Sequence, residues 1–261
     1  MFNMNNLRNQ LLGTWTLLKK ELLRFWRVVF QTVAAPVITG ILYLLIFSHV
    51  LDSRVEVYEG VPYMAFLIPG LIMMSLLQNS FSNSSSSLIQ AKVMGNIVFL
   101  LLTPLSYIQL FFAFLIASIA RGIFVGICIY LIAILYIDIP IKHPWIVFLF
   151  SVFGGGLMGA FGIIAGVWAE RFDQMAAFGN FVIMPLSMLS GVFYSIHSLP
   201  LSWQKVSQLN PFFYMIDGFR YGFFGQSDVS PYFSLSIVSI FFIVLSYITI
   251  KMLKSGYKLR G

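Results

Sequence analysis

The chain has 261 residues, is 59% hydrophobic and 10% charged, and carries a formal net charge of +7. Soluble domains carry about a quarter charged residues, so this balance excludes an ordinary soluble core and indicates a polytopic membrane protein. The single cysteine, Cys128, lies in an apolar run, which rules out an intrachain disulfide and offers neither thiol nor metal chemistry.

Residues 1–27 read as an amphipathic helix. Leu7, Leu11, Leu18, Leu22 and Phe25 recur at helical spacing, with Arg8, Lys19, Lys20 and Arg27 on other faces. Such a helix lies on the cytoplasmic leaflet, or serves as a basic flank that pins the first span. The segment has no apolar core of its own and no small-residue cleavage site follows, so it is not read as a cleavable signal. Six apolar runs then follow, near 28–50, 63–82, 108–136, 145–168, 175–194 and 232–253. Each approaches the roughly 20 residues that a helix needs to cross a hydrocarbon core of about 30 Å.

Between the second and third runs, Ser84 to Ser87 reads as the polar end of a helix emerging into water. Residues 91–102 form a short, mostly apolar helix between Gly95 and Pro104. It either docks a cytoplasmic partner or holds two spans together. Within the third run stands Arg121, an intramembrane cation that faces the bundle interior or an aqueous cavity. Its expected partners are backbone carbonyls, Gln31, Gln78 or lipid phosphate. The alternative is that this run begins along the surface, leaving Arg121 near the headgroups. Gly122 and Gly126, then Gly155, Gly159, Gly162 and Gly166, fall at spacings that permit close helix packing.

The segment 191–225 is too polar and too broken by proline to cross a bilayer, yet it is rich in aromatics. Pro200 and Pro211 end or start short helices, and Asn210 caps the helix that Pro211 opens. Asp217 and Arg220, at i and i+3, are expected to pair on one face. Residues 196–225 thus read as a re-entrant helical cap, or as an aromatic belt at the interface.

Lysine and arginine orient the chain. With both termini cytoplasmic, eleven fall inside (Arg8, Lys19, Lys20, Arg24, Arg27, Lys92, Arg171, Lys251, Lys254, Lys258, Arg260) and four outside (Arg54, Lys142, Lys205, Arg220). Anionic membrane lipid is the natural partner of the basic ends, and no separate patch suggests nucleic acid. The sequence contains no phosphate-binding G-x-x-x-x-G-K-[ST], no H-E-x-x-H and no G-x-S-x-G, so no catalytic residue is assigned. His49, His143 and His197 fall at the outer ends of spans and read as interfacial residues rather than metal ligands.

This all-α plan, an N-terminal amphipathic helix, six spans and re-entrant helices before the last, resembles the ABC-2 type transport permeases, in particular the YadH-like bacterial inner-membrane group. The likeness is carried by A-R-G-I-F-V-G at 120–126, S-G-V-F-Y-S at 190–195, L-N-P-F-F-Y-M-I-D-G-F-R-Y-G-F at 209–223 and L-L-T-P-L at 101–105. The resemblance implies a homodimeric permease driven by two copies of a separate cytoplasmic ATPase, which holds the ATP and magnesium. It makes residues 1–27 a gate helix and 28–261 the transmembrane domain. Residues 91–102 become the coupling helix, with Lys92, Met94, Gly95, Asn96, Val98, Phe99 and Pro104 at the ATPase. Asn210, Pro211, Tyr214, Asp217 and Arg220 form the outer motif. Relatives often carry acidic residues in the coupling helix; here Ile97 to Leu100 is apolar, so docking rests on apolar contacts. The expected cargo is apolar, amphipathic or lipid-linked, with polysaccharide export the nearest alternative. A membrane-embedded lipid-modifying enzyme and an ion-gradient transporter are the readings from other classes. The first lacks a paired acid and base, and the second lacks intramembrane carboxylates.

Overall fold

The structure, a computed structural model, describes residues 4–51, 58 and 60–259. Arg54 and Arg260, counted in the charge asymmetry, lie outside the described residues, as do the side chains of Arg8 and His49. Helix α1 (Met4–Arg27) runs into α2 (Val29–Leu51), with a bend of 58° between their described parts. Then come α3 (Tyr63–Val93), α4 (Ile97–Leu102), α5 (Tyr107–Ala133) and α6 (Pro144–Trp168). A broken stretch follows: α7 (Phe172–Phe178), a π-turn (Gly179–Ile183) and α8 (Met184–Met188). A 3-10 turn (Ile196–Ser198), α9 (Leu201–Gln208), α10 (Pro211–Phe224) and α11 (Pro231–Ser255) complete the chain. Among the described residues the only β-pairing is an isolated bridge between Tyr58 and Val61.

Four helices, α3, α5, α6 and α11, are each long and apolar enough to cross a membrane, and the bent α1–α2 pair makes a fifth candidate. The expected span at 175–194 is instead interrupted. The π-turn lies at 179–183, Pro185 follows it, and the chain leaves the helix after Met188. A π-turn adds a residue per turn and twists the helix out of register.

Helix α3 is the hub, packed against α5, α6, α10 and α2. The glycines of α6 decide how closely. A Cβ on Gly166 would sit 2.8 Å from Leu88 Cβ, and one on Gly162 would run into the Phe81 carbonyl and the Ser84 hydroxyl. Gly159 fits against Ser118 of α5 in the same way, and Gly122 of α5 against the Leu76 carbonyl. Backbones this close gain dispersion contacts along their length, the usual basis of helix association in lipid.

That seam corrects the reading of Ser84 to Ser87. They do not emerge into water. They continue α3 for its last turns, and Ser84, Ser85 and Ser87 are buried. Each hydroxyl is satisfied inside the protein: Ser84 donates to the Gly159 carbonyl at 2.8 Å, Ser85 to the Phe81 carbonyl at 2.8 Å and Ser87 to Glu21 at 2.9 Å. Small hydroxylated residues suit a glycine seam because they fill little volume and return their proton to a nearby carbonyl.

Three described lysines gather at one end of the bundle. Lys92 ends α3, Lys254 lies over the Tyr107 ring at the start of α5, and Lys258 pairs with Glu170 at 2.8 Å just after α6. We call this the basic end, and the opposite one, bearing α9 and α10, the cap end.

Candidate functional site

At the basic end the expected helix at 91–102 is two pieces. Helix α3 runs on to Val93, Met94 caps it, and Gly95 turns the chain with φ +74°, a conformation only glycine adopts without strain. Asn96 then precedes α4, a six-residue helix with no buried residue. Val98, Phe99 and Leu102 are exposed, Phe99 by 70% and Leu102 by 75%. Thr103 turns extended before Pro104, and a capping box between Ser106 and Gln109 starts α5. Lys92, which the resemblance sets at the ATPase, is engaged within the bundle. Its ammonium donates to the Val167 and Ala169 carbonyls, both at 2.7 Å, and so caps the C-terminal end of α6.

Beside α4 lies a polar joint between α1 and α3. Glu21 is fully buried; its carboxylate accepts from Ser87 and pairs with Arg24 at 3.1 Å. Arg24 also donates to the Asn83 carbonyl at 2.6 Å and to the Ser86 hydroxyl at 3.2 Å. Arg121 continues the joint from α5. It is buried in the bundle interior, donates to Asn79 at 3.3 Å and lies 5.6 Å from the centre of the Phe25 ring. Its partner is therefore an asparagine on α3, neither Gln31 nor Gln78, because Asn79 is the amide that α3 turns toward α5. Sequence reasoning passed over Glu21. The available signal was that it is the only acidic residue in the first fifty.

At the cap end, the Asn210 side chain accepts from the Phe212 amide at 3.0 Å, as a cap should, and donates to the Leu186 carbonyl at 2.6 Å. Pro211 occupies the first turn of α10, and the Tyr214 hydroxyl donates to the Gln208 carbonyl at 2.8 Å. The aromatics of α10 bury within the protein: Phe212, Phe213, Phe219, Phe223 and Phe224 all belong to the main core. Helix α10 lies on α6 because Gly218 meets the Phe150 ring and Gly222 meets Val147.

Asp217 and Arg220 do not pair, although both are 1% exposed. Asp217 turns to the approach to α11 and accepts from the Asp228 and Val229 amides at 2.8 and 3.0 Å. Arg220 turns to α3, sits 3.8 Å from the centre of the Phe66 ring, and donates to the Gly191 carbonyl at 2.8 Å. Gly70 leaves the room: a Cβ there would come within 3.1 Å of the Arg220 guanidinium. Asp228 closes the cluster, accepting from Ser195 at 2.7 Å, the Ile196 amide at 2.8 Å and Tyr58 at 3.0 Å. Ionised groups buried among so many donors and carbonyls fix a backbone path rather than offer reacting atoms. His143 stacks on Tyr221 with ring centres 5.2 Å apart, and among the described residues no three His, Cys, Asp or Glu side chains gather around a metal position.

Along one side, between α3 and the broken α7–α8 stretch, runs a groove of about 330 Å³ that sequence reasoning did not find. Gln78, Ser82 and Asn180 give it polar lining among Phe81, Ile183 and Met184. Phe181 and Met184, on the same broken stretch, are 80% and 52% exposed.

Residues 13–224 match the family model described as ABC-2 type transporter. The chain is 39% identical over 252 residues to the inner membrane transport permease YadH of Escherichia coli (strain K12), covering 95% of this chain and 98% of that protein. It is 28% identical over 188 residues to the capsule polysaccharide export inner-membrane protein CtrC of Neisseria meningitidis, covering 69% and 66%. It is 29% identical over 147 residues to the capsule polysaccharide export inner-membrane protein BexB of Haemophilus influenzae, covering 54% and 52%.

Proposed function

The chain belongs to the ABC-2 type transporter family, and from that premise we propose that it is the permease subunit of an ATP-driven exporter, working as a homodimer with two copies of a cytoplasmic ATPase. It is a multi-pass protein of the inner membrane. In this reading the basic end faces the cytoplasm, as the excess of lysine and arginine requires, and both termini lie there. ATP and magnesium bind in the partner, and this chain supplies the path.

The observation that carries the division of labour is α4. A six-residue helix with no buried residue is costly in water: Ile97, Leu100 and Leu101 pack partly on the bundle, while Phe99 and Leu102 at the basic end stay exposed among the described residues. With Lys92 committed to the end of α6, apolar contact from Met94 at the end of α3 and from Val98 and Phe99 of α4 is what this corner offers a docking ATPase, and Gly95, Asn96 and Pro104 set its angle. The α1–α3 joint then carries motion of the docked subunit into the bundle. The cap of α9 and α10, built on Asn210, Pro211, Tyr214, Asp217 and Arg220, dips back toward the membrane and borders the outer mouth.

The path runs between the two permease copies, and the groove along α3 is its strongest local support. Polar side chains in a membrane-spanning bundle mark pathways, and a π-turn opens a helix where function needs it. The groove pairs amides and hydroxyls with apolar walls, which suits an amphipathic cargo. The polysaccharide exporters among the relatives favour a lipid-linked glycan over a small apolar drug. The test is reconstitution with and without the ATPase. ATP-dependent transport is expected only with it, and Phe99→Glu is expected to abolish co-purification of the ATPase while leaving the permease folded. Transport that persists without the partner overturns the reading.

A further inference from the structure

Between α1, the tail of α3, α4 and the start of α5 lies a second groove, of about 640 Å³. Leu17, Leu100, Leu105 and Phe114 give it an apolar wall, and Lys20 and Asn96 stand in its lining as hydrogen-bond donors. Lys20 keeps 60% of its side chain exposed. Its neighbour Glu21, 3.5 Å away, is already engaged by Arg24 and Ser87, so the Lys20 charge is only partly spent.

Two observations name the occupant. First, the side of α1 turned away from the bundle is amphipathic: Leu11, Trp15, Leu23 and Trp26 are each about half exposed or more, with Lys19, Lys20 and Arg27 exposed among them. A helix of this kind lies among lipids, with tryptophan at the headgroup level, so the groove beside it opens to lipid. Second, from Leu11 to its end α1 carries four cations, Lys19, Lys20, Arg24 and Arg27, against the single carboxylate of Glu21. A cationic mouth on an apolar groove complements a ligand with one negative head and a hydrocarbon tail. We propose that this groove holds one anionic phospholipid of the adjacent leaflet, its acyl chain against Leu17, Leu100, Leu105 and Phe114 and its phosphate at Lys20 and Asn96. Acyl burial retains the lipid and the cation selects among headgroups. Because the groove spans α1 and α4, the lipid braces the joint between them.

The experiment uses the purified permease without an ATPase, so its outcome does not depend on the transport reading. Lipid adducts are counted by native mass spectrometry while phosphatidylglycerol, phosphatidylcholine or inorganic phosphate is added. Phosphatidylglycerol is expected to be retained over phosphatidylcholine, and phosphate alone not to be retained. Lys20→Gln is expected to lower phosphatidylglycerol retention about fivefold, as the loss of one cation near a lipid surface predicts, and Lys20→Arg to restore it. Ala91→Phe on α3 and Leu100→Trp on α4, both in the lining, are expected to exclude the lipid; a thermal melt identifies whichever variant remains folded for that reading. Equal retention of the two lipids, undiminished retention in a folded groove-filling variant, or retention of phosphate alone overturns the proposal.

Discussion

The two ends of the bundle both bury charge, but they bury it differently. At the basic end, Glu21, Arg24, Asn83, Ser86 and Ser87 meet mostly side chain to side chain, across the boundary between α1 and α3. At the cap end, Asp217, Arg220 and Asp228 reach chiefly for backbone amides and carbonyls, in α10 and the segments around it. Bonds to backbone fix the course of the chain, and losing one leaves an amide or carbonyl that cannot move away. Bonds between side chains can be exchanged by rotation. The cap's charges thus pin backbone, whereas those of the α1–α3 joint bind side chains that rotation can re-pair.

This contrast can be broken from either side. The largest effect is expected at Asp217→Ala, which strands the two amides that donate to its carboxylate. A loss of about 3 kcal/mol or more is expected, read as a lower melting temperature and poor recovery in detergent. Next come the close approaches. Gly218→Val drives a branched side chain into the Phe150 ring, with a cost of about 1–3 kcal/mol in the melt. Glu21→Gln should separate the two kinds of charge. It removes the Arg24 ion pair but keeps an acceptor for Ser87, so stability falls by about 1 kcal/mol while coupled transport falls much further. If Asp217→Ala were mild and Glu21→Gln prevented folding, the comparison would be inverted.

The smallest effect is expected at the Lys258–Glu170 pair, which is largely exposed. The hydrogen bond to Lys258 holds the Glu170 carboxyl below its ordinary value, and Glu170 in turn raises the Lys258 ammonium. A depressed carboxylate contributes stability that is present above its unfolded value and lost as pH falls through the folded one. Glu170→Gln should therefore leave the melting temperature unchanged within error at neutral pH and flatten any slight loss seen on acidification.

Much of the fold was legible in the sequence. Spans at 63–82, 108–136, 145–168 and 232–253 correspond to α3, α5, α6 and α11, since apolar length is a local property. The Asn210-Pro211 start of α10 was legible for the same reason: a cap and a first-turn proline act within a few residues. The Ser84 to Ser87 run misled because four hydroxyls look like a water-facing end unless their acceptors are known: the Gly159 carbonyl, seventy-five residues on, for Ser84, and Glu21 of α1 for Ser87. The break at 179–183 left only a local sign, Gly179-Asn180 and then Pro185, inside a run whose overall apolar length reads as a continuous span.

Class and the ends of most helices were thus determined by the sequence alone, because each follows from hydrophobic length and local capping. The partners of the charges were decided only by the tertiary structure. Spacing of i and i+3 placed Asp217 and Arg220 on one face, but burial made each seek a full set of hydrogen bonds. The donors for Asp217 came from residues 228–229 and the acceptors for Arg220 from residues 191–192, brought there by the packing of α10 between α3 and α6.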